Sequence, residues 1–128
     1  MTRLAPTHAL TGGTTIPAIG VGTWPLDDRE VERMALTAFE IGFRLIDTAE
    51  NYRNEAGVGN AVRNSGLPRE DLFVTTKFNR EWHGDAVAGV QGNLQRLGLD
   101  HADLVLIHWP NPDQDLYVRA WEGLIEAR

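Results

Sequence analysis

Cysteine is missing altogether from the 128 residues, which removes disulfides and thiol chemistry and fits a reducing compartment. Long apolar runs are missing too: the longest clean ones, such as LVLI at 104–107, are strand-sized and far short of a membrane span. The opening residues, MTRLAPTHAL, lack the apolar stretch of a secretory leader, so the cytoplasm is the expected location. Positive charge is scarce. A formal net charge of −6 leaves no basic face for a phosphate backbone, and nucleic acid is not an expected partner. Lysine is scarcer still, for of the 12 Lys and Arg residues only position 77 is Lys. A chain that uses Arg for nearly every generic cationic task invites a specific explanation for one compact, tunable ammonium, although codon bias reads the same way.

What is present is an ordinary globular composition, 42% hydrophobic and 23% charged, enough for one domain over residues 1–128. HALTGGTTIP, turning at Gly12 and Gly13, predicts a β-hairpin. AIGVGTW at 18–24 predicts a short buried strand. A helix follows, with Asp27 as N-cap, Glu30 three residues on, and Gly42 as its stop. The strand–helix unit then recurs. FRLIDT (43–48) precedes a helix from about Asn54 to Gly66, and LFVTTKF (72–78) precedes one from about Asp85 to Gly98. DLVLIHW (103–109) is stopped by Pro110 and Pro112, and a last helix starts near Asp115. These strands read as apolar on both faces, as in a parallel sheet covered by helices, so the expected class is α/β. No Gly-x-Gly-x-x-Gly follows the first strand, which disfavours a dinucleotide-binding open sheet. Equal units behind a hairpin that could plug one end point to a barrel, of which four units make half.

In parallel α/β folds the functional face is the carboxyl end of the strands. There the sequence places Trp24, Asp47 with Tyr52, Lys77, and His108 with Trp109. Singly each has a plain structural reading: a helix cap, a packing phenol, a satisfied core imidazole. Together at corresponding strand ends they suit proton delivery to a carbonyl. A phenol is a poor acid near neutrality, a neighbouring ammonium favours its anion, and a carboxylate holds that ammonium charged and oriented. Tyr52 is then the acid, Lys77 its tuner, Asp47 the anchor of Lys77, and His108 a donor to the substrate oxygen. No nucleophile is evident, so hydride must come from a bound cofactor. A metal site through Asp47 and His108 fits less well, because a catalytic zinc site wants a third protein ligand. Paired-carboxylate glycoside hydrolysis also fits poorly: Asp103 begins its strand, and Glu50 and Glu55 are expected on the loop after Asp47.

GFRLIDTAENYRNEAGVG (42–59) resembles the first signature of the aldo-keto reductase family, including Gly42, Arg44, Asp47, Ala49, Glu55 and Gly59. TTK ending at Lys77, LVLIHWP ending at Pro110 and IPAIGVGTW (16–24) resemble its lysine, histidine and opening-strand segments, most like bacterial reductases of the diketogluconate-reductase type. The resemblance implies a (β/α)8 TIM-barrel enzyme that reduces aldehydes or ketones with NADPH, of which this chain would be the N-terminal half. It implies Tyr52 as acid with Lys77, Asp47 and His108 as partners, Gly22, Thr23, Trp24 and Asp47 at the cofactor mouth, and Trp24, Trp82, His108 and Trp109 around the substrate. Phe78 and Asn79 stand where the family often has a Trp, which comes later here as Trp82. In the family the later strands supply the rest of the cofactor site, and the chain stops inside its fourth helix. The isolated chain is therefore expected to bind NADPH poorly and to turn over little. Two other readings remain, a non-catalytic half-barrel that pairs with itself or a complementary half, and a regulatory relative that senses cofactor redox state.

Overall fold

Gly12 and Gly13, at φ of 105° and 90°, take the chain through a turn that side-chain-bearing residues rarely adopt. The turn joins β1 (Thr7–Ala9) to β2 (Thr15–Pro17) as an antiparallel hairpin, in a computed structural model that describes residues 4–128. The hairpin lies at the amino ends of the later strands, sharing a cavity with Arg44, Phe73 and Asp103. The plug expected from sequence thus sits at the end opposite the candidate site.

Four strand–helix units follow: β3 (Val21–Gly22) and α1 (Asp28–Glu40), β4 (Leu45–Asp47) and α2 (Glu55–Asn64), β5 (Phe73–Phe78) and α3 (Ala86–Leu97), β6 (Leu104–Ile107) and α4 (Tyr117–Ala127). Each α1 start signal works as the sequence suggests. The Asp27 carboxylate accepts the Glu30 N–H at 2.8 Å, and the Glu30 carboxylate accepts the Asp27 N–H at 3.0 Å. Gly98, left-handed at φ 64°, ends α3. Two boundaries differ from expectation. Of the strand expected over 18–24 only Val21–Gly22 pairs, because Ala18 bonds back to Pro6 of the hairpin. The last helix begins at Tyr117 rather than near Asp115, since Asp115 is itself left-handed (φ 52°) and closes a 3-10 turn over Pro112–Gln114.

The four strands pair in chain order, all parallel. Their outer face carries Ile46, Val74 and Phe78 into two apolar clusters under the helices. One is built from α1, α2, β5 and the end of α3 around Val31, Phe39, Val58 and Leu97, the other from the end of β5 with α3 and α4 around Phe78, Val90 and Ala120. The inner face is not the apolar surface expected. Register aligns Gly22 with Asp47 and Asp47 with Thr75, while Lys77 is opposite Leu106. With a side-chain period of two, Asp47, Thr75, Lys77, Leu106 and His108 share that inner face. Among the described residues no helix is long and apolar enough to cross a membrane.

Candidate active site

Three strand ends and one turn bring the sequence-identified residues together. Asp47 is the last residue of β4, Lys77 the penultimate residue of β5, and His108 follows β6 directly. Tyr52 ends a 3-10 turn, Glu50–Tyr52, that Arg53 closes in the left-handed conformation (φ 56°). A short turn at this point folds the phenol back over the strand ends instead of letting it run outward with the loop.

The Lys77 ammonium donates to Asp47 Oδ1 at 2.6 Å and to the Thr48 carbonyl at 2.9 Å. It lies over the Tyr52 ring, 5.0 Å from the centroid. The lysine side chain is 12% exposed and the carboxylate 35%, so the pair is partly desolvated while the acid keeps an edge on the rim. Such screening from water strengthens the attraction between charges. The single lysine of the chain therefore has a charged partner and an aromatic face against it, where a forked guanidinium would need more room.

His108 sits edge-on to Tyr52, with ring centroids 5.7 Å apart and planes at 78°. Burial, then the nearby Lys77 charge, hold the His108 imidazole below its ordinary pKa, and Asp47 only partly opposes them. It is thus held neutral near pH 7. Its Nδ1 is buried with no hydrogen-bond partner among the described residues. Trp24 tilts against Tyr52 at 5.4 Å and Trp109 stacks on His108 at 5.8 Å, each indole 65% exposed. A continuous row of Trp24, Tyr52, His108 and Trp109 thus lines the rim. Trp82 stands apart from it. Its indole N–H donates to Glu50 at 3.1 Å and its ring packs in the α3 and α4 cluster, with no ring contact to the row among the described residues.

The cofactor-mouth expectation divides. Gly22 is exposed, with open space where a side chain would stand. Thr23 is fully buried, and its hydroxyl donates to the Asp47 carbonyl at 3.0 Å. Its side chain braces β4 and offers nothing to a ligand at the mouth. The same brace includes residues that sequence reasoning passed over: Asn54 Oδ1 accepts from Thr48 at 2.7 Å, and its amide donates to the carbonyls of Thr23 and Leu26 at 3.0 and 2.8 Å. Glu55, expected on a loop, opens α2 and is almost fully buried. It accepts from Thr76, Asn93 and Arg96 at 2.5, 2.6 and 2.5 Å. Position within the recurrent unit was a readable signal for Glu55; its burial was not. No group of three His, Asp or Glu residues is arranged to hold a metal ion among the described residues.

A profile of the aldo/keto reductase family matches residues 18–128. An aldo-keto reductase of Mycobacterium avium is 50% identical over 125 residues, covering 96% of this chain and 44% of that protein. One from Mycobacterium marinum is 51% identical over 126 residues, 97% of this chain and 45% of that protein. Among solved structures, an aldo/keto reductase from Brucella melitensis superposes with a TM-score of 0.86 at 39% identity, covering 95% of this chain and 48% of that one. A Bombyx mori aldo-keto reductase in complex with NADP gives 0.86 at 36% identity, with 98% and 47% covered. The chain thus spans about half the length of the proteins it matches, and its sheet and helices correspond to about half of their TIM barrel.

Proposed function

Because the chain belongs to the aldo/keto reductase family, we propose that it carries the proton-delivery machinery of an NADPH-dependent reductase of aldehydes and ketones, as the N-terminal half of its barrel. One observation carries the reading: the Lys77 ammonium sits 2.6 Å from Asp47 and 5.0 Å from the centre of the Tyr52 ring, with His108 edge-on to that ring. Tyr52 gives its hydroxyl proton to the carbonyl oxygen as negative charge gathers there. Lys77 stabilises the phenolate left behind, and Asp47 keeps Lys77 charged and aimed. His108, held neutral, offers a ring N–H to the same oxygen and fixes the carbonyl against Tyr52. Trp24 and Trp109 form apolar walls that exclude water from the substrate, whereas Trp82 is turned to Glu50 and the α3 and α4 cluster.

The residues fit the nicotinamide end of the cofactor. Gly22 leaves room, Trp24 presents an exposed ring, and the exposed edge of Asp47 offers an acceptor; Thr23 braces the strand beneath them, its N–H and carbonyl bonded to Asp47 and Asn54. The cofactor, when bound, supplies the hydride. Its phosphates need cations, and the Lys77 ammonium at this rim is committed to Asp47. Firm binding therefore depends on groups outside this half. The NADP-bound state of the Bombyx mori relative supports the cofactor class.

The test is a chimera in which the carboxyl-terminal portion of the Mycobacterium avium relative continues the chain after Arg128. It should reduce an aldehyde with NADPH, and Tyr52→Phe should slow it by about 10²–10⁴-fold without weakening NADPH binding. A Tyr52→Phe chimera as fast as its parent would exclude Tyr52 as the acid. A second reading, a non-catalytic half-barrel that associates with itself or a complementary half, is favoured by the exposed Val118, Trp121 and Ile125 on α4.

A further inference from the structure

Tyr52 is bracketed in the sequence by two glutamates, Glu50 and Glu55, that proton delivery does not use. Both reach across to the end of β5, the strand that carries Lys77. Glu50 opens the 3-10 turn that ends at Tyr52, and its carboxylate accepts the Asn79 N–H at 3.0 Å and the Trp82 indole N–H at 3.1 Å. Glu55 opens α2 and grips β5 from the helix side, accepting from the Thr76 hydroxyl at 2.5 Å. The Asn93 amide donates to Glu55 at 2.6 Å and also to the Lys77 carbonyl at 3.2 Å. Arg96 ties the two acids together, donating to Glu55 at 2.5 Å and lying 3.9 Å from Glu50. Three points at the strand end, the Thr76 hydroxyl, the Lys77 carbonyl and the Asn79 N–H just beyond it, are thereby fastened to the segment that carries the phenol.

A buried carboxylate is a costly way to join a helix to a strand. Well-packed apolar groups hold such elements as well or better, whereas ion pairs fix one register and orientation. Glu55, with a side chain only 1% exposed, makes charge-assisted bonds whose directions leave little freedom to the strand end. The Lys77 side chain leaves this same fastened strand on the opposite, inner face. A slip of the β5 end would carry the ammonium away from both Asp47 and Tyr52.

We infer that Glu50 and Glu55, with Asn93 and Arg96, form a two-point staple that sets the Lys77 ammonium against the Tyr52 ring. They are positioning residues: none touches the phenol, and each acts through the backbone or neighbours of Lys77. The inference rests on the proposed roles of Tyr52 and Lys77, and its test separates the two.

The chain has one lysine, so 15N-lysine labelling gives a single side-chain ammonium resonance, whose hydrogen exchange with water reports how firmly Lys77 is held. Glu55→Gln keeps the shape and removes the charge, and Asn93→Ala frees the Lys77 carbonyl. Both, confirmed as folded by circular dichroism, should speed ammonium exchange about tenfold, the factor expected when one net hydrogen bond is lost from a local opening. Asn93→Ala decides if Glu55→Gln does not fold. A purely structural role would lower the melting temperature and leave exchange in the folded protein as it was. If Asp47→Asn speeds exchange and the folded staple variants do not, the staple is wrong and the proposed site stands. If Asp47→Asn also leaves exchange unchanged, the Lys77–Asp47 pair is not formed, and both readings fail.

Discussion

A lone lysine among arginines reads as a curiosity of composition until the inner face of β5 gives it a carboxylate and a phenol ring. Lys77→Arg in the active chimera should lower kcat by about 10²-fold, because a forked guanidinium neither fits the space beside Asp47 nor presents a point charge to Tyr52. Steady-state kinetics on the two proteins decide it. A second prediction concerns two imidazoles. His83 is fully buried with both ring nitrogens unpartnered among the described residues, and burial, then Arg80, lower its pKa, with Glu81 opposing. His108 is lowered by burial and Lys77. For both, the unfolded chain binds protons more tightly than the folded one, so stability rises with pH and is lost as pH falls below about 6.5. The melting temperature should drop on acidification, and His83→Phe should flatten that drop; an unchanged slope would mean that His83 does not titrate differently on unfolding. Which polar residues face the rim was only partly legible at this scale. Asp47, Tyr52, Lys77 and His108 were readable because strand ends mark them. Thr23 was expected at the cofactor mouth and Glu55 on a loop, and both turn inward, since a sequence gives the position of a hydroxyl or carboxylate along an element and says nothing of the buried partner that turns it.

At the scale of elements, the paired signals were the readable ones. Asp27 with Glu30 announced the start of α1 because both halves of the capping box lie within four residues of chain. Asp27→Ala should cost about 1 kcal/mol in a urea melt. The start of α4 was hidden because Asp115 leaves the helical region through its own backbone angle, and Pro112 turns the chain without an apolar period to mark it. The register of β3 was hidden likewise, as two residues carry no pattern. Closer packing has a sharper test. Gly59 on α2 abuts the end of α3, where an added Cβ would overlap the Leu97 carbonyl oxygen. Gly59→Ala should destabilise by about 1–3 kcal/mol through overpacking. Gly84→Ala, with nothing nearby to meet, is the control, and equal midpoints for the two would contradict the α2–α3 contact.

At the scale of the molecule, four equal units told of a parallel α/β fold, and what they could not convey was how unevenly its two flanks are finished. Around the α4 and β6 edge, Leu106, Tyr117, Val118, Trp121 and Ile125 are exposed, whereas the exposed side of α1 bears Arg29, Glu30 and Arg33. An exposed apolar flank beside an unpaired strand edge favours association. Trp121→Glu should therefore lower the sedimentation coefficient measured at high concentration, and a chain already monomeric there would show no apolar pairing at this edge. The account as a whole stands on one claim, that these strands alone, without the remainder of a barrel, bring the ammonium of Lys77 over the ring of Tyr52. With one lysine and two tyrosines, of which Tyr117 lies on α4, a nuclear Overhauser experiment on the isolated chain reads that contact without ambiguity. The account predicts a cross-peak between the Lys77 side-chain methylenes and the Tyr52 ring; a folded chain whose Lys77 shows Asp47 or Thr48 neighbours but no Tyr52 ring would contradict it.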